Sequence, residues 1–173
     1  MSLPSPVNPV IARAAIASFL ADAGWRRTTA EYGWKVDLID DLTVLVVLRA
    51  RPVNAVEELF TLRLVCTFYP THPPDAQFVN PTTGLYDPDK DRAHLPQLSA
   101  PFCHVHPTYG YQHPYPYAPQ LVCSSVTLGY YFSNHTPTDD QVWDSARHSL
   151  GSTIQTIHRA LHSQHYSGRY SAQ

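Results

Sequence analysis

The chain has no long apolar run. Nothing in it approaches the roughly 18 consecutive apolar residues of a membrane-spanning helix, so no membrane partner is expected. It also lacks a basic surplus. Twelve Lys and Arg stand against fourteen Asp and Glu, a formal net charge of -2. Phosphate neutralisation needs clustered cations, so no nucleic-acid partner is expected either. Cysteine is scarce and odd in number, at three. A chain of this length does not need disulfide staples, and a reduced, cytoplasmic protein is the simpler expectation. Met1 to Val10 lacks a charged region followed by an apolar run, so no secretory leader is expected. Internal repeats are missing. Lysine is nearly absent, with Lys35 and Lys90 the only two.

What remains describes one α+β domain. A chain of 173 residues, 43% apolar, fits a single domain over 1–173. The ordered core is expected over about 8–164, with a short polar tail at 165–173. Asn8 and Pro9 read as a helix cap and a proline at the first helical position. Ala12, Ile16, Phe19, Leu20 and Ala23 recur at helical spacing, and Gly24 reads as the stop. Strands follow: Trp34 to Ile39, then Leu42 to Leu48, then Phe60 to Phe68, each short and the last two alternating. Short turns between them predict a four-stranded antiparallel meander, whose fourth strand runs near Ala76 to Val79. Residues 82–122 show no period and read as a long loop of the kind that carries function. Trp143, Ala146, Leu150, Ile154, Ile157 and Leu161 step by three and four, predicting a final helix that begins near Thr138.

Proline is abundant, at sixteen. Residues 69–81 read Tyr-Pro-Thr-His-Pro-Pro-Asp-Ala-Gln-Phe-Val-Asn-Pro. Such a run is neither helix nor central strand, because each proline lacks a donor N–H and fixes φ. It reads as a rigid corner built around Phe78. The spacing resembles the YPxxPP corner that precedes a Phe in ubiquitin-conjugating enzymes. His106-Pro107-Thr108 resembles the His-Pro-Asn tripeptide of that family, and Val122-Cys123 resembles its catalytic cysteine step. The His-x-His pair His104 and His106 is similar to divergent bacterial members, found in small conjugation or anti-phage operons. Thr108 stands where the family has Asn, and the segments on either side of the tripeptide are longer.

The resemblance implies a conjugating fold and a cysteine acyltransferase. Cys123 is the expected nucleophile. It would take a ubiquitin-like protein from an activating enzyme as a thioester and pass it to a target protein's amine. His104, His106 and Thr108 are the expected helpers, with Asp139 and Asp140 as further candidates. No cofactor is implied. The N-terminal helix, with Arg13, Ser18, Arg26 and Arg27, would dock the activating enzyme. The two lysines fit a carrier that avoids modifying itself, or a genome that favours arginine codons.

Other readings of the same residues stay open. Cys66 is in phase with Phe60, Leu62, Leu64 and Phe68, and reads as a buried small hydrophobe. Cys103, His104 and His106 could hold zinc with a fourth ligand from His113, Cys123 or His135, though no paired CxxC or HxxxH supports this. The tyrosines from Tyr109 to Tyr117 read either as a recognition surface or as packing over the sheet. His158, His162 and His165 read as exposed positions. A non-catalytic binding module on the same fold, presenting a ubiquitin-like protein, is the main alternative function.

Overall fold

Asn8 starts the first helix as expected, accepting the Val10 N–H through its side chain at 2.9 Å. This helix, α1 (Pro9–Ala21), buries Ala12, Ile16 and Phe19. The computed structural model describes residues 4–109, 120–133, 135 and 137–171. Asp22, rather than Gly24, ends α1. Its backbone turns extended and its carboxylate accepts the Trp25 N–H at 2.8 Å, capping a second helix, α2 (Ala23–Tyr32). The sequence gives no sign of α2 because none of its residues is buried, so it has no apolar stripe.

The meander forms as expected: β1 (Lys35–Asp40), β2 (Thr43–Arg49), β3 (Leu59–Val65) and β4 (Asp75–Val79) pair antiparallel in chain order. Val46 opposes Leu62, which opposes Phe78, so one face of the sheet is continuously apolar. Helix α3 (Leu150–Leu161) lays Leu150, Ile154, Ile157 and Leu161 into the same core. It begins at Ser149, not near Thr138. Ser149 and Ser152 form a reciprocal capping box that sets the start. Residues 138–148 form turns, and Trp143 leaves the helical pattern to pack against Tyr69. Gly151 is fixed by close approach, since a Cβ there would sit 2.2 Å from the Trp25 ring.

The larger departure lies in the segment read as a loop. It contributes β5 (Pro96–Ala100), β6 (Cys103–His106) and β7 (Leu121–Cys123) to a second antiparallel sheet, ordered β7-β6-β5-β8. Its last member, β8 (Tyr166–Arg169), comes from the stretch read as a polar tail. That stretch is tied down by burial and charge. Tyr166 is buried and donates its hydroxyl to Glu58. Arg169 bonds Glu58 and the carbonyls of Ala93 and Leu59. His158 also departs from an exposed reading, because its Nδ1 accepts the Trp34 indole N–H at 3.1 Å. Arg13 of the basic edge is paired with Asp41 at 2.7 Å. Tyr111, His113, Tyr115 and Tyr117 lie outside the described residues.

Candidate active site

The proline corner reaches the end of β7 through named hydrogen bonds. Pro70, joined to Tyr69 by a cis peptide bond, receives the Trp143 indole N–H on its carbonyl at 2.7 Å. The Trp143 backbone N–H donates to the Tyr131 hydroxyl, which donates in turn to the Ser125 carbonyl, each at 2.8 Å. Pro74 receives the Leu128 N–H on its carbonyl at 3.0 Å. The corner therefore holds both ends of the turn that follows Cys123. Thr127 locks the turn from inside, its hydroxyl lying 2.6 Å from the Val122 carbonyl and 2.8 Å from that of Ser124.

Strand alternation sorts the candidate residues. On β6, Cys103 and Val105 are buried in the core, while His104 and His106 are half-buried on the opposite face. His104 lies directly opposite Cys123 in the β6–β7 register, so the two share that second face. His104 and His106 stack with ring centroids 4.0 Å apart. Together with Cys123, Ser124, Tyr130 and His135 they border a cavity of about 270 Å³. Thr108 is exposed on the loop beyond β6 and is not among the residues that border this cavity. Asp139 and Asp140 are exposed on a turn, where Asp140 accepts the Thr138 hydroxyl at 2.6 Å.

The three thiols differ. Burial pushes Cys66 up to about 12, with Asp40 adding to it, and pushes Cys103 up to about 12, with Cys123 adding to it. Both are held in the core as protonated small hydrophobes. Cys123 is 8% exposed and borders the cavity. Burial raises its pKa as well, and the neighbouring Ser133 hydroxyl draws it partly back. Burial lowers the pKa of His104 and of His106, with His104 and His135 adding to the shift at His106. The cavity therefore sets a thiol beside two imidazoles, His104 and His106, whose burial disfavours the charged form.

The partner that sequence reasoning passed over is His135, weighed only as a metal ligand. Its Nε2 lies 3.2 Å from Cys123 Sγ, and its Nδ1 lies 3.1 Å from Ser133 Oγ. Nothing in the local pattern marks it, because it lies twelve residues downstream of the cysteine. A thiol, an imidazole and a hydroxyl in this order can supply a nucleophile, its base and a group that orients the base. The zinc reading needs Cys103 to converge with His104 and His106, and the pleat of β6 points Cys103 to the other face. Among the described residues no group of three or more His, Cys, Asp or Glu could hold a metal ion. Comparison with known proteins finds no matching family model, no matching curated protein and no matching solved structure.

Proposed function

We propose that the protein is a ubiquitin-conjugating-type enzyme of the bacterial kind, with Cys123 as the acyl carrier. One observation carries the reading: Cys123 Sγ borders a polar cavity at a strand end, 3.2 Å from His135 Nε2, on a turn clasped by the proline corner. An N-terminal helix, a meander in chain order and a proline corner ahead of the cysteine strand fit the conjugating fold. The partners are a ubiquitin-like protein, the activating enzyme that delivers it and a target protein that supplies an amine.

The thiolate attacks the thioester carbonyl that joins the ubiquitin-like C-terminus to the activating enzyme. The acyl group moves to Cys123 as a new thioester, and an amine then displaces the thiol. Exchange between thioesters is chemically undemanding, because nucleophile and leaving group are alike. Transfer to the amine is harder, because the nitrogen must lose a proton. ATP is consumed by the activating enzyme.

The test is to incubate the protein with ATP, a ubiquitin-like protein and an activating enzyme that charges it. A thiol-sensitive adduct at Cys123 supports the reading. Cys123→Ser should replace it with an oxyester that survives reductant. Absence of any adduct on either form leaves the binding-module reading, which the exposed position of Thr108 outside the cavity favours. That module would still hold the ubiquitin-like protein in a pull-down.

A further inference from the structure

An acyl carrier at Cys123 has two protons to move: one from its own thiol and one from the incoming amine. The hydrogen bonds around His135 point to where they go. The Ser133 hydroxyl can turn to Sγ once a thiolate forms, but while Cys123 is a thiol the Tyr130 carbonyl, which can only accept and lies 2.8 Å from Ser133 Oγ, takes the single hydroxyl proton. The Ser133 oxygen then presents lone pairs towards His135 Nδ1, 3.1 Å away. Nδ1 must carry the ring proton to complete that bond. Nε2 is thereby left bare, and it is Nε2 that faces Cys123 Sγ at 3.2 Å. A bare imidazole nitrogen at that distance accepts a thiol proton.

Two further features support an active role. Ser133 is buried and placed by the Gly129 carbonyl, which receives its N–H at 3.1 Å, so the orienting hydroxyl is fixed by the backbone. His135 is itself exposed and packs on the Tyr130 ring at 4.6 Å between centroids. An imidazole held on one side and open on the other can meet an arriving amine. His104 and His106 border the same cavity but stack on each other.

From this geometry we infer that His135 is a catalytic base, that Ser133 is its positioning residue, and that the same Nε2 serves both half-reactions. This rests on Cys123 being the acyl carrier, and adds the group that handles its protons. In loading, Nε2 takes the thiol proton as Sγ attacks the carbonyl carbon of the incoming thioester. The new C–Sγ bond forms, the old C–S bond breaks, and the donor sulfur leaves with that proton. In transfer, the amine nitrogen attacks the same carbon and gives a proton to Nε2. The C–N bond forms, the C–Sγ bond breaks, and the proton passes to Sγ. Nothing is oxidised or reduced, and thioester and amine are the only reactants.

The test uses the full chain, a short peptide activated as its mercaptoethanesulfonate thioester, and free lysine as the amine. Intact-mass spectrometry follows the acyl adduct on Cys123 and its lysine-dependent decay. His135→Gln should slow both steps by about 100-fold or more at neutral pH, within the range of general-base catalysis. The acid limb of the wild-type pH–rate profile should move to higher pH in that variant, where the thiol must ionise unaided. Ser133→Ala should slow both steps less and distort the same limb, and Ser133→Thr should restore it. Cys123 alkylation by iodoacetamide should slow in His135→Gln, a readout independent of acyl transfer. Wild-type rates and an unchanged pH profile in His135→Gln overturn the base assignment and leave the acyl carrier standing. A wild-type protein that forms no adduct at Cys123 overturns the acyl-carrier reading, and the base assignment with it.

Discussion

The side chain of Gln120 pairs with the backbone of Phe78 as a neighbouring strand would. Its Oε1 accepts the Phe78 N–H at 2.7 Å, and its Nε2 donates to the Phe78 carbonyl at 2.8 Å. Phe78 lies in β4, the outer strand of the meander, and Gln120 immediately precedes β7. One side-chain amide thus satisfies a buried strand edge and ties it to the strand that ends in Cys123.

Gln120→Ala should therefore be costly. It leaves a buried N–H and a buried carbonyl without partners, each worth about 1–3 kcal/mol. A loss of roughly 2–4 kcal/mol in urea denaturation is expected. Gln120→Leu keeps the volume and should be no better, because the loss is polar. A change within about 0.5 kcal/mol would show that the pairing is incidental.

The route from the corner to the cysteine turn runs through Trp143, which donates its indole N–H to Pro70 and its backbone N–H to Tyr131. Trp143→Phe removes the first bond and keeps the second. It should destabilise by about 1–3 kcal/mol, measured by thermal melting. Tyr131→Phe should instead release the Ser125 carbonyl and raise hydrogen exchange in the turn after Cys123. Unchanged exchange at Ser125 and its neighbours would break the proposed link.

Asp75 gives a dependence on pH. Burial lifts its carboxyl from 3.8 to about 7, with Arg63 and the Ala76 N–H offsetting part of the rise. The folded state therefore holds this proton where the unfolded chain has lost it. Stability from the group is complete below the ordinary carboxylate value and is lost as pH rises through about 7. Asp75→Asn should flatten that decline and be the more stable form above neutrality. Parallel urea midpoints for wild type and variant across this window would contradict it.

How far the sequence could be read follows from the range of its contacts. The meander was legible because Val44, Val46 and Leu48 of β2 and Phe60, Leu62 and Leu64 of β3 recur every second residue on the buried face, and their neighbours lie a short connection away. The corner was legible because proline acts locally. The second sheet was not. β7 has three residues, β5 opens on a proline, and β5 pairs with β8 across some seventy residues, as in the Pro96 and Arg169 register. Short strands joined at such distance leave no period to detect. At the site, Cys123 stood out through its apolar approach and its resemblance to a known step. His135 had no such signal, since only folding of the intervening turn brings it to the sulfur. Thr108 shows the converse, placed in a motif by sequence and left outside the cavity by the fold.

The central claim is that the sulfur of Cys123, and no other, carries the acyl group. Four proteins decide it: wild type, Cys123→Ala, Cys103→Ala and Cys66→Ala, each charged with the ubiquitin-like protein, its activating enzyme and ATP, then resolved without and with reductant. A reductant-sensitive adduct is expected in wild type and in the two core-cysteine variants, and none in Cys123→Ala. An adduct that persists in Cys123→Ala, or that disappears only with Cys103 or Cys66, would contradict it.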